Sequence, residues 1–266
     1  MPLLHLLRFV PIPAVQGMFN ANDYITKGAG RAVELAHSRT GESNLLAKVI
    51  EDCEKEGEGH IDDVGVRIEA INIIITSTDT TGATLTYLTQ AVLQRPELQT
   101  ALKVEAASLG VDYTENDLII FASVECCHRR DSKFVWRSTG YPRVIPQGGA
   151  KLGGHYAPPG TTVSTPAYTF HCDPEIRTDP LTTTSSEALS PSAKTAFHPF
   201  GTGARSCVGL HLPRVELRYA VAFFFRELKG VKLTESTTPE SMEFENFFLI
   251  APKAHRFEII SNTAQT

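Results

Sequence analysis

Ten consecutive residues, Phe200-Gly-Thr-Gly-Ala-Arg-Ser-Cys-Val-Gly209, carry the densest chemistry in the chain. One cysteine stands among glycines 201, 203 and 209, with an arginine two residues before it and an aromatic ring seven before it. The glycines permit positive φ and let the backbone come close to something flat and bulky. A cysteine at the mouth of a following helix meets the positive end of the helix dipole, which favours thiolate. Arg205 adds a cation suited to a carboxylate. A soft anionic sulfur with backbone donors and an aromatic cover suits an iron–thiolate bond. The structural alternative is a glycine-rich loop that caps a helix, with Cys207 a small buried hydrophobe.

A second stretch, Thr76-Ser-Thr-Asp-Thr-Thr81, puts five hydroxyls and one acid inside a long apolar-periodic run. Such side chains bond back to the backbone and weaken helices, so packing alone does not select them. Beside a hydroxyl, the carboxyl of Asp79 can act as a general acid. The local alternative has Asp79 or Thr80 capping a second helix.

Together these stretches resemble the cytochrome P450 family. Phe-x-x-Gly-x-Arg-x-Cys-x-Gly is similar to that family's cysteine-ligand loop, in which a thiolate holds haem iron. The resemblance implies Cys207 as axial ligand of haem b (iron protoporphyrin IX) and Arg205 on a haem propionate. It also implies Phe200 against the sulfur, with Gly203 and Gly209 as further parts of the cofactor site. Arg143 matches the position of a second propionate-binding arginine. Thr76–Thr81 resembles the oxygen-activating Ala/Gly-Gly-x-Asp/Glu-Thr-Thr, which implies that Thr80 donates to dioxygen at the haem and Asp79 relays protons. A local π-type widening of the helix is expected there. Ser77 departs from the family's glycine and is expected to narrow the oxygen groove.

The activity implied is insertion of one O2-derived oxygen atom into a small apolar organic substrate, in secondary metabolism or xenobiotic oxidation. Its electrons would come from NADPH through a flavoprotein reductase. Family members are intracellular and usually held on the endoplasmic reticulum membrane by an N-terminal anchor. Met1–Pro13 is interrupted by Pro2, His5 and Arg8 and is too short to span a bilayer, so no anchor is expected here. The net charge of −5 gives no support to a nucleic-acid partner. Five cysteines without a framework of spacings suggest a reducing compartment.

The resemblance covers only the C-terminal half of the family's length, and two of its elements are not legible. Where a Glu-x-x-Arg helix belongs, Val124–Phe134 puts His128 three residues after Glu125. Where a Phe-x-Pro-x-Arg-Phe/Trp segment belongs stands the polar stretch Thr182–Leu189. A one-base frame shift over the first region permits Ser-Ala-Val-Ile-Glu-Glu-Thr-Leu, so a frame or splicing error is one reading of it. In the family these elements form a buried charge network, and breaking such a network costs about 3–5 kcal/mol. Two competing functions follow: an inactive, truncated relic or faulty gene product binding haem weakly or not at all, and a non-catalytic haem or small-ligand module.

The elements that must position these residues follow from periodicity. A hydrophobic share of 42% and a charged share of 21% fit an ordinary globular core. Helices are expected over Asn22–Ala36, with Val33, Leu35 and Ala36 apolar, over Glu42–Glu56, and over Ile61–Gln94 with Asp62 and Asp63 in the first turn. Pro96 opens another to Leu109. Glycine pairs over Arg143–Val163 predict a small hairpin. His171, in His-Cys-Asp-Pro, reads as structural. A helix over Gly209–Leu228 is expected to supply Val215, Leu217, Tyr219, Ala220, Phe223 and Phe224 to the core, and Phe244–Leu249 with Phe257–Ile260 predicts a closing hairpin. The fold class expected is mainly α with a small β region, the C-terminal part of the P450 fold, as one partial domain over 1–266. Its parts are the long helix (60–94), the β region (143–165) and the cysteine loop with its helix (198–228).

Overall fold

A computed structural model describes residues 11–38, 44–53, 62–119, 142–165, 169, 173–176, 190–196, 198–246 and 250–261. The regions of Glu125 and His128, of Thr182–Leu189, and of His171 and Cys172 lie outside the described residues, as does the reading-frame question attached to the first of them. The chain divides into two compact units, Met1–Asp79 and Thr80–Thr266.

In the first unit α1 (Pro13–Ser38) starts nine residues before the predicted Asn22. Proline fixes φ near the helical value and lacks only an N–H that the first turn leaves unbonded, so Pro13 is itself a start signal. The helix buries Ala29 and Val33, whereas Leu35, assigned to the apolar set by periodicity, faces solvent. Next, α2 (Leu45–Cys53) falls within the predicted Glu42–Glu56 and is capped by Asn44, whose Oδ1 accepts the Ala47 N–H at 2.8 Å. Then α3 (Asp63–Leu93) begins at a similar cap, Asp62 Oδ1 accepting from Gly65 N at 2.8 Å. Its 31 residues span about 46 Å. Ala29, Val33, Ile50, Val66 and Ala70 make the core of this unit.

The second unit takes the C-terminal half of α3 and adds α4 (Pro96–Ala107), α5 (Glu115–Ile119) and α7 (His211–Glu227), with the short α6 (Pro191–Ala196) before the last. Leu88 and Val92, Leu102 and Ala106, Leu118, and Val221, Ala222 and Phe225 interlock as its core. Gln99 ties α4 to the residue after α7's turn, its Nε2 donating to Val231 O at 2.9 Å. The ring of Tyr113 stacks on Tyr219 at 5.6 Å and carries the Arg226 guanidinium on its face at 5.1 Å. The helix α7 buries Leu217 and packs Tyr219 and Phe224 against this core, as periodicity suggested, with one exception. Phe223 is 59% exposed, and Val221, Ala222 and Phe225 join Leu217 among its buried residues.

The β region is two antiparallel pairs: β1 (Arg143–Val144) with β4 (Thr162–Val163), and β2 (Ala150–Leu152) with β3 (His155–Ala157). Gly153 and Gly154 hold φ of 54° and 86° in the β2–β3 turn. The closing hairpin differs from expectation. The strand β6 (Phe244–Asn246) pairs with β7 (Ile250–Pro252), whereas β8 (Ile259–Ile260) pairs with β5 (Lys232–Leu233). Met242 and Ile250 pack with Tyr87 of α3 beside the main core. Among the described residues no helix is long and apolar enough to cross a membrane.

Candidate functional site

The loop between α6 and α7 is built almost wholly from backbone hydrogen bonds. Gly201 N donates to His198 O at 3.0 Å, and Cys207 N donates to Phe200 O at 2.9 Å. A single 3₁₀ turn, Gly203–Arg205, closes with Ser206 giving both its N–H and its hydroxyl to Gly203 O, at 3.1 and 2.8 Å. Leu210 N then donates to Cys207 O at 3.3 Å and leads into α7. Gly201 and Gly203 both sit at φ 71°, a conformation that costs an L side chain about 1–2 kcal/mol. The glycines are therefore required by the loop's shape.

Within this loop Phe200 is buried and every residue from Gly201 to Gly209 is exposed, Val208 almost completely. Cys207 is a free thiol on that exposed face. The alternative of a small buried hydrophobe is thereby overturned, because the tight turn carries the thiol outward while Phe200 is turned into the protein. A Cβ added at Gly209 would come 3.9 Å from Cys207 Sγ, so glycine keeps that flank of the sulfur clear. Gly203 borders open space. Phe200, Gly203, Arg205, Cys207 and Gly209 are thus brought together by one turn.

The other predicted residues lie elsewhere. Arg143 is exposed on β1, opposite Val163, and its Nη1 donates to the adjacent Pro142 O at 3.1 Å. Asp79 is exposed and Thr80 half-buried on α3. The helix is continuous α through Asp63–Leu93, so the expected widening is not present and neither residue caps a second helix. Hydroxyls bonded to the preceding turn replace it. Thr76 donates to Asn72 O at 2.6 Å, Ser77 to Ile73 O at 2.7 Å, Thr84 to Thr80 O at 2.8 Å and Thr86 to Gly82 O at 2.9 Å. Ser77 therefore lies along its own helix, where the sequence suggested a side chain projecting into a groove. Thr81 Oγ1 is buried with no hydrogen-bond partner among the described residues, a cost the α-helix alone does not explain.

One neighbour of the site was invisible to sequence reasoning. The Arg214 guanidinium, from the first turn of α7, lies over the Phe200 ring with its carbon 5.3 Å from the centroid. No local pattern links residues fourteen apart across a turn, and only the regular seven-residue spacing Phe200–Cys207–Arg214 hints at it.

The donor set decides what such a loop can hold. Among the described residues no group of three or more His, Cys, Asp or Glu side chains could enclose a metal ion. A lone exposed thiol, an exposed arginine two residues away and a glycine face fit a flat, anionic cofactor held by one axial bond.

The comparisons agree with the class this site and fold define. The sequence profile described as Cytochrome P450 matches residues 136–259. The cytochrome P450 monooxygenase cypX of Dothistroma septosporum is 36% identical over 254 residues, covering 91% of this chain and 48% of that protein. The cytochrome P450 monooxygenase aflV of Aspergillus parasiticus is 34% identical over 271 residues, covering 97% and 53%. The corresponding stcB of Emericella nidulans is 32% identical over 248 residues, covering 90% and 47%. In fold, the crystal structure of CYP105P1 in complex with filipin I aligns at a TM-score of 0.69 and 19% identity, over 94% of this chain and 57% of that one. The fold is the C-terminal part of the cytochrome P450 fold, mainly α with a small β region. The chain belongs to the cytochrome P450 family. It spans about half the length of the curated relatives it matches.

Proposed function

We propose that the chain carries the haem-binding half of a haem-thiolate monooxygenase that inserts one O2-derived oxygen atom into a small apolar organic substrate of secondary metabolism. The observation that carries this reading is the outward-facing Cys207 thiol on its glycine turn. Cys207 would hold the haem iron through its sulfur, and the N–H it gives to Phe200 O ties it to the turn. Arg205, exposed on the same face, takes one propionate by charge-assisted hydrogen bonds. Arg143 takes the second. Gly203 and Gly209 leave the face of the loop free of side chains, so that a flat ring can approach its backbone. Phe200, buried at the start of the turn, would shield the sulfur's inner side from water.

Bound haem supplies the iron and the redox chemistry of O2 activation. The remaining tasks belong to the chain. Thr80 offers its Oγ1 as a hydrogen-bond donor from the half-buried side of α3, and the exposed carboxyl of Asp79 takes up protons from solvent and passes them on. Electrons reach the site from NADPH through a flavoprotein reductase. The names of the relatives, all monooxygenases, support the reaction class.

A second reading, a chain that keeps the loop but does not turn over substrate, is favoured by one observation. Val64, Ile68 and Ile75 of α3 and Phe223 of α7 are exposed, and apolar surface of this kind is ordinarily covered. Reductant-dependent substrate oxidation by the chain separates the two readings. Turnover supports the monooxygenase, and haem binding with no turnover supports the second reading.

A further inference from the structure

We infer that Arg214 is a positioning residue for the Cys207 loop, holding the Phe200 ring and adding a positive charge at the residue whose carbonyl accepts the Cys207 N–H. The inference rests on the reading of Cys207 as haem ligand. From 200 to 209 only Phe200 is buried, so the loop's placement on the protein is set at that ring. The Phe200 carbonyl accepts the Cys207 N–H at 2.9 Å, which passes any movement of residue 200 directly to the cysteine. Arg214 covers the ring face at 5.3 Å, within the range where a cation is attracted by the ring quadrupole.

Arg214 reaches this place for local reasons. Pro213, third residue of α7, fixes the first turn of the helix, and Arg214 follows directly behind it on a side chain that is half-buried. A guanidinium is planar, stays charged across the working pH range and stacks on an aromatic face better than an ammonium. The contact therefore joins the first turn of α7 to the start of the loop, the two segments that flank Cys207 in the chain. The charge has a second effect. A cation near the iron site stabilises the more negative, reduced state, and this attraction persists because a site on a protein surface screens charge only partly.

The test uses the chain loaded with haem during expression, with Arg214→Met and Arg214→Lys. Arg214→Met keeps the stem and removes the charge. It is expected to lower the reduction potential of the haem and to speed haem loss to a haem-scavenging apoprotein about fivefold. Arg214→Lys should fall between Arg214→Met and the parent in both. A potential and a haem-loss rate for Arg214→Met equal to the parent's overturn the inference. So does a drop in melting temperature common to both variants with the potential unmoved, since that marks a packing role alone. Cys207→Ser is the control on the underlying reading. If it leaves the ferrous–CO spectrum unchanged, or the parent takes up no haem, the ligand assignment falls and the Arg214 role with it. A lost thiolate-type band in Cys207→Ser beside an unaltered Arg214→Met overturns only the Arg214 role.

Discussion

The Cys207 loop and the Leu88–Phe225 core lie in the same unit and share α7, yet they are held by opposite means. The core is apolar side chains with almost no exposure, contributed by four helices. Each such side chain gains about 1.5–3 kcal/mol from burial. The loop buries one residue in ten and is shaped by backbone hydrogen bonds and two glycines at positive φ. The difference teaches where each kind of substitution should register. Stability resides in the helices, and the exposed Cys207 thiol sits on a turn that contributes little to it, so loop and fold can be broken separately.

The largest effect is expected on the core side. Phe225→Ala should cost about 3–5 kcal/mol, a large share of the roughly 5–15 kcal/mol that holds a domain together. A denaturant melt should show it as a lowered midpoint, with haem uptake lost along with the fold. A midpoint unmoved by the change would mean that the cluster does not carry the unit's stability.

On the loop side, Gly203→Val should place a β-branched residue at φ 71° in open space. The strain, about 1–2 kcal/mol, should act on the turn and not on the helices. Haem content should fall well below the parent's while the melting midpoint moves little. Equal losses in both would erase the distinction between the regions.

Thr80→Ala sharpens the comparison further, since Thr80 lies on a core helix and is assigned a chemical task. Haem content and melting should stay near the parent's, and peroxide formed per NADPH consumed should rise. Loss of haem without a change in that ratio would make Thr80 structural.

Much of the loop and of the helix order was legible in the sequence and much of the packing was not. The loop, the five residues it brings together and the helix after it follow from types and spacings confined to about thirty residues. The ends of α3 are equally local, at Asp62 and just before Pro96. The short α5 has a local signal that periodicity passes over: Asp117 accepts the Thr114 N–H at 2.7 Å and its hydroxyl at 2.8 Å, the acid's half of a capping box. Other features depend on partners far away in sequence. Phe223 reads as core by its spacing from Tyr219 and Ala220, but α4 and α5 meet the face carrying Val221, Ala222 and Phe225. Pairing of β8 with β5 spans 26 residues or more, and no pattern inside either strand specifies it.

The smallest expected effect comes from that cap. Hydrogen bonds from the Thr114 backbone and hydroxyl hold the Asp117 carboxyl below the usual carboxylate range. A carboxyl with a lowered folded-state pKa adds stability above its unfolded pKa and loses it as pH falls through the folded value. The stability gap between the parent and Asp117→Asn should therefore be present at neutral pH and close on acidification below the carboxylate range. A gap independent of pH in paired melts would remove the charge from the explanation and leave only hydrogen-bond geometry.

The central claim is that Cys207, exposed on its glycine turn, is a thiolate ligand of haem. The most direct measurement is the ferrous–CO difference spectrum of the 266-residue chain, expressed with haem precursor, beside that of Cys207→Ser. The account predicts a red-shifted, thiolate-type band in the parent and its absence in the variant, with the unfolding free energies of the two haem-free proteins within about 0.5 kcal/mol of each other. The same band in both proteins would contradict it.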